Sequence, residues 1–249
     1  MPARETEAII LRTYPLKEAD KIVSFFSRTF GKTRGVAARA RRLKSRFGAG
    51  LEPLSHVRLY YFQRETRELV SIDSCELIQS YFDAQRDFAA GTACGYVAEV
   101  CEQLLPDHEP NDALFRLVLL VLEHIRQTGQ VWAALTYFDL WVLRLSGILP
   151  SLAACGKCDA PLAAGEPAFF TGMTSGLQCA ACRTSGSWEI EAGSRTLAVE
   201  MLRASLPGLA PRPWTKETAS DLRRFLEQRI EAHIERRLVT RAMLEQIEG

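Results

Sequence analysis

Two cysteine pairs constrain this chain more than any other feature. Cys155-Gly156-Lys157-Cys158 and Cys179-Ala180-Ala181-Cys182 stand twenty residues apart. Two Cys-x2-Cys pairs at this separation are the signature of a four-thiolate zinc site, each pair giving two ligands to one tetrahedral ion. Gly156 falls between the first two sulfurs, where the chain must turn tightly. Residues 159–167 are turn-rich, and Phe169-Phe170 then offers a short strand, so the layout is a knuckle and a hairpin. Two disulfides, or one redox-active pair, are the competing readings; the spacing favours the metal. Cys155, Cys158, Cys179 and Cys182 would leave no open coordination position, so a single Zn2+ here is expected to be structural and not catalytic.

The rest of the chain must supply the bodies that this unit pins together. At 249 residues there is room for two modest domains, and 47% hydrophobic with 24% charged residues is the balance of an ordinary globular protein. No run approaches the roughly 18 apolar residues of a membrane span, and residues 1–7 carry acids with no apolar core, so neither membrane insertion nor a signal peptide is expected. Cys75, Cys94 and Cys101 bring the cysteines to an odd seven with no disulfide framework, which fits a reducing cytoplasm.

Residues 8–14, 22–27, 33–38, 55–62 and 69–75 read as five short strands with no long helix between them, the pattern of a small closed barrel. Gly31 sits in the turn before the third strand, and residues 63–68 form the turn before the fifth. The loop after the third strand concentrates charge. Lys32, Arg34, Arg39, Arg41, Arg42, Lys44 and Arg46 follow one another with no acid in residues 32–51, although the whole chain is only +1. Such a segment attracts a phosphate backbone, with affinity that falls steeply as salt rises; a merely solvated loop is the bland alternative. Small barrels often bind single strands along one face. Tyr60, Tyr61 and Phe62 could stack on bases, though alternation sends at least one of them into the core.

After residue 80 the hydrophobic period changes to three and four. Phe88 to Leu104 reads as one amphipathic helix, in which Cys94 and Cys101 are small core residues. A second helix is capped by Asn111 or Asp112 and ended by Gly129, and a third, residues 131–146, is apolar on most sides and belongs in the middle of a bundle. The cysteine unit, at about 150–187, is thus inserted between helices. A helix over 194–205, a loop, and one long helix from about Thr215 to Gln246 complete the chain. Glutamates interleave with most arginines of that last helix, least so around Arg236, Arg237 and Arg241. The four histidines are scattered singly and none has metal or nucleophile spacing.

Taken together, these residues resemble the bacterial RecO recombination-mediator family. The resemblance is carried by Glu7-Ala8-Ile9-Ile10-Leu11, Glu18-Ala19-Asp20, Phe30-Gly31-Lys32, Leu51-Glu52-Pro53-Leu54, Leu59-Tyr60-Tyr61, Glu68-Leu69 and the run from Gly147 through Cys158, in order along nearly the whole chain. One departure lies at Thr174-Ser175-Gly176-Leu177, where two adjacent glycines are expected. The family implies an α+β protein: an N-terminal five-stranded OB-fold β-barrel (residues 1–80) followed by an α-helical domain (81–249) carrying the inserted four-cysteine zinc knuckle. It also implies binding of single- and double-stranded DNA, annealing of complementary strands, and, with RecR, loading of RecA onto strands coated by single-strand-binding protein. That protein's acidic C-terminal tail is a second expected partner, RecF and RecA indirect ones, and the location cytoplasmic, with the nucleoid. Arg116 and Arg126 are candidate anchors for the tail.

No phosphate-cradling Gly-x4-Gly-Lys-Ser/Thr loop occurs, and no carboxylate cluster suggests a nuclease, so a binding protein and not an enzyme is expected. A zinc deaminase would need a His-x-Glu upstream of Cys155, which is missing. A zinc-stabilised adaptor that binds only proteins, and a thiol switch, are the remaining alternatives.

Overall fold

Inward-facing apolar side chains at every second residue close the N-terminal strands on themselves. In the computed structural model, which describes residues 3–63, 68–209 and 211–247, strands β1 (Ala3–Leu16), β2 (Asp20–Ser27), β3 (Gly31–Ala37), β4 (His56–Phe62) and β5 (Val70–Gln79) form a closed barrel in the order β1-β2-β3-β5-β4. All pairings are antiparallel except β3 with β5. That is the OB topology, a five-stranded Greek-key barrel. Ala8, Ile10, Val23, Phe25, Val57, Leu59, Tyr61, Val70 and Ile72 fill it. β1 is longer than its apolar run because its ends pair with β4 on one side and β2 on the other, and a bulge between Ile10 and Arg12 lets it turn. Part of the expected turn before β5, residues 64–67, lies outside the described residues.

The outward side of β1 and β2 is buried as well, because helices α1 (Phe88–Leu104) and α2 (Asp112–Thr128) lie over it. Phe26 meets Phe115 at 5.6 Å, and Ser24 donates to the buried carboxylate of Glu102. Asp87 caps α1 and Asn111 caps α2 through their side chains, and Gly129 ends α2 at φ 68°. The turn before β3 needs glycine twice over. Gly31 has φ 71°, and a Cβ there would collide with the backbone of Glu109.

Compactness divides the chain into Met1–Gly129 and Gln130–Gly249. The first of these units holds the barrel together with α1 and α2, whose apolar stripes cover its outer face. In the second unit, α3 (Val131–Leu145) is buried on most sides and packs on α6 (Ser220–Ile234). The cysteine-bearing segment follows α3, with β6 (Ala168–Phe170) paired to β7 (Trp188–Ile190), then α4 (Ala192–Met201) and the single turn α5 (Leu206–Leu209). One long final helix is not what forms. Glu235 takes a left-handed conformation at φ 54°, α6 ends, and α7 (Val239–Glu245) turns back. Glu231 holds the turn by accepting the Leu238 N–H at 3.0 Å, and its carboxylate pairs with Arg241 at 2.7 Å. Among the described residues no helix is long and apolar enough to cross a membrane.

Candidate metal centre and nucleic-acid interface

The cysteine pairs meet because two short loops and one hairpin bring their ends together. Cys155 N–H donates to Ala160 and Asp159 N–H to Cys155, which folds the first knuckle back on itself. Cys179 begins a single 3-10 turn, Ala180–Cys182, that forms the second. The knuckles dock where Gly156 donates to the Leu177 carbonyl at 2.7 Å, with Gly176 lying against Gly156. A single glycine at 176 is enough for this approach. The four sulfurs lie within 4.8 Å of one another, and Cys158 and Cys179 are 3.8 Å apart. A tetrahedral ion with metal–sulfur bonds of about 2.3 Å requires sulfurs about 3.8 Å apart, whereas a disulfide requires about 2.05 Å. The site can therefore hold a metal ion.

Electrostatics prepare one thiolate. Burial opposes ionisation of Cys155, but N–H groups of Cys179, Lys157 and Cys158 outweigh it and bring the thiol down to about 6. Cys182 is pushed up to about 12, first by the Cys158 thiol. Metal binding must therefore displace protons, so affinity weakens as pH falls. Cys94 and Cys101 are different: burial alone, or nearly so, raises each to about 12, and both are core residues of α1.

Two buried guanidinium groups hold the loops around this site. Arg195 of α4 donates to the carbonyls of Leu152, Leu162, Ala163 and Glu166. Arg229 of α6 donates to those of Thr171, Gly172 and Thr174. Burial lowers the pKa of both, and the carbonyl oxygens replace the lost water. Neither residue stood out from the sequence, where Arg229 is one of the arginines of the last helix interleaved with glutamates.

The basic run divides into two parts. Lys32 is buried on β3, donates to the Glu102 carbonyl at 2.8 Å and pairs with Asp107 at 3.3 Å. Arg34 pairs with the Glu102 carboxylate at 3.3 Å. These two cations join the barrel to α1. Arg39, Arg41, Arg42 and Lys44 are exposed, and none has an acidic side chain within ion-pairing distance among the described residues. Arg46 is exposed and meets Asp73 at 3.2 Å.

The loop is fastened at both ends. The Arg39 N–H donates to Asp20, the Arg41 N–H to Ala19 and the Arg41 guanidinium to the Lys17 carbonyl, which ties the loop to the β1–β2 turn. Phe47 and Leu51 then enter the barrel core. At its tip Leu43 is fully exposed. OB barrels commonly bind strands on the β2–β3 face and the adjoining β1–β2 loop. Here Glu102, Asp107 and Phe115 cover outward residues of that face, while the β1–β2 turn stays beside the loop's cations. Tyr61 is in the core against Phe25; Tyr60 and Phe62 face outward on β4, half-buried.

The other arginines noted in the sequence are mostly matched. Arg116 pairs with Asp112 and Arg126 with Glu123. Arg241, which seemed least diluted by acid, is the most matched of all, with Glu227, Glu231 and Glu245 around it.

Fold and site define a class: an OB barrel with a cationic loop, in one chain with a helical body built around a four-cysteine metal site. Two family models cover the chain, the recombination protein O N-terminal model over residues 1–81 and the recombination protein O C-terminal model over residues 85–242. The DNA repair protein RecO of Koribacter versatilis is 47% identical over 98% of this chain and 99% of its own. Those of Geobacter metallireducens and Anaeromyxobacter dehalogenans are 32% and 30% identical, over 100% and 99% of this chain and 99% and 98% of theirs. The chain belongs to the recombination protein O family.

Proposed function

We propose that the chain is a DNA repair and recombination mediator that grips nucleic-acid strands through the loop of residues 38–47. One observation carries this reading: Arg39, Arg41, Arg42 and Lys44 project from a loop anchored beside the β1–β2 turn, without acidic side-chain partners among the described residues. Charges held in place but unmatched lower the free energy of a bound phosphate backbone. Arg46 is a weaker contributor, since Asp73 already meets it, and Lys32 and Arg34 act by holding the barrel to α1. The relatives' shared name, DNA repair protein RecO, agrees with this reading.

Annealing needs no bond chemistry. Cations that offset repulsion between two backbones, with a surface that keeps bases unstacked, suffice; Leu43 at the loop tip offers base faces an apolar contact. Zn2+ is the ion we assign to Cys155, Cys158, Cys179 and Cys182, because four thiolates at tetrahedral spacing suit a redox-inert, soft-tolerant ion. It would fix the knuckles in the second unit and supply no reaction step. RecR, the C-terminal tail of single-strand-binding protein and, through them, RecA loading are the partners we expect, in the cytoplasm.

The test is to mix the full chain with complementary oligonucleotides coated by single-strand-binding protein, without nucleotide, and follow duplex formation. Faster annealing than the coated strands alone supports the reading. No acceleration, together with no shift of a short single strand in a gel, would leave a protein-only adaptor in its place.

A further inference from the structure

The break after α6 builds a site that a single long helix would not have. Where Glu235 turns left-handed, the chain places Arg236 and Arg237 on the rim of a groove between α6, α7 and the β7 hairpin, with a volume of about 610 Å3. Trp188 of β7 lines one wall and is 41% exposed. Its ring leans on Phe170 at 5.9 Å, and Phe170 rests edge-on against Phe225 of α6 at 5.1 Å. The indole is thus the outer member of an aromatic stack rooted in the helical body.

The charges in this groove are unequal. Its lining acids, Glu231 and Glu245, are both ion-paired to Arg241, at 2.7 and 3.5 Å. Arg224 and Arg237 also line it, are exposed, and have no acidic partner among the described residues. The groove therefore presents net positive charge beside one exposed indole.

We propose that this groove is a second nucleic-acid site, taking a single strand with a base over Trp188 and phosphates against Arg224 and Arg237. The inference rests on the reading of the chain as a nucleic-acid-binding protein. Aromatic platforms flanked by cations hold single strands without regard to sequence, because every base has a π-face and every linkage a charge. A peptide fits less well. Beyond Trp188 the apolar lining is Ala232, Ala242 and the buried Leu238, which offers no deep pocket for a large apolar anchor. A chain that joins two strands needs two places to hold them, and the groove supplies one in the second compact unit while the basic loop supplies one in the first.

All four tryptophans, Trp132, Trp141, Trp188 and Trp214, lie in the second unit, so selectively excited tryptophan fluorescence reads it alone. The full chain carrying Arg39→Ala/Arg41→Ala/Arg42→Ala is titrated with a short oligothymidylate, with and without Trp188→Ala or Arg224→Ala/Arg237→Ala. Expected are tryptophan quenching on binding, loss of residual affinity by about tenfold in either groove variant, and partial recovery in Trp188→Phe. Metal content and circular dichroism confirm that each variant is folded. Unchanged affinity and quenching in the folded variants overturn the proposal. So does loss of binding to an oligoglutamate peptide with oligothymidylate binding intact, which would make the groove a peptide site. If the unsubstituted chain itself fails to bind oligothymidylate, the nucleic-acid reading fails, and the groove with it.

Discussion

The basic loop and the cysteine unit are both irregular segments rich in arginine or bordered by it, yet they use guanidinium groups in opposite ways. Around the cysteines, Arg195 and Arg229 are buried and donate to seven backbone carbonyls between them. In the loop, Arg39, Arg41 and Arg42 stand exposed; among the described residues only Arg41 of the three has a guanidinium hydrogen bond, to one carbonyl. An arginine matched inside its own chain is a fastener. One held in place and left unmatched keeps its charge available, which is the basis of the binding role proposed for the loop. The same test separates Lys32 and Arg34 from the loop they adjoin in sequence.

The sharpest break in this comparison should come from the metal. Stripping it with a strong chelator, or substituting Cys155→Ser, should abolish the cooperative thermal transition seen by tryptophan fluorescence, which reports only the second unit. The barrel, followed by far-UV circular dichroism at its own transition, should be unaffected. A single unchanged transition by both probes would show that no ion pins the knuckles.

Next in size are the fasteners. Arg195→Met or Arg229→Met leaves several buried carbonyls unsatisfied and should cost about 2–5 kcal/mol in denaturant unfolding. Arg42→Met, by contrast, should fall within about 0.5 kcal/mol of the parent, as surface substitutions do. Equal effects at the two places would erase the distinction.

The smallest effect is on pH and belongs to the first unit. Burial, the dominant influence, holds His56 below its ordinary 6.5, with Glu7 only partly opposing it, and burial does the same for His124. A histidine depressed in the folded state binds fewer protons than the unfolded chain just below pH 6.5. The stability it contributes is therefore complete above that value and is lost as pH falls through it towards the folded pKa. The barrel's Tm should drop modestly between pH 7 and 5, and His56→Gln should flatten that drop.

How much of this was legible in the sequence varies with the range of the interaction. The cysteine cluster follows from local spacing, and Cys155, Cys158, Cys179 and Cys182 converge to within 4.8 Å, where they could hold a metal ion. The barrel strands show because alternation is local too. The roles of Lys32 and Arg34 do not, since their partners Glu102 and Asp107 lie some seventy residues on and face them only once α1 covers β2 and β3. The end of α6 carries no glycine or proline; Glu235 adopts its left-handed turn because Glu231 can then cap Leu238 and pair with Arg241. The groove beside Trp188 was hidden for the same reason.

The central claim is that the loop's unmatched cations hold the strand. It is tested most directly by the slope of log affinity against log salt concentration for a short single strand, in the parent and in Arg39→Ala/Arg41→Ala/Arg42→Ala. Each phosphate that the variant no longer neutralises should remove about 0.7 from the slope, so its line should be shallower by about 2 and lie lower at low salt. Two parallel lines of equal affinity would contradict it.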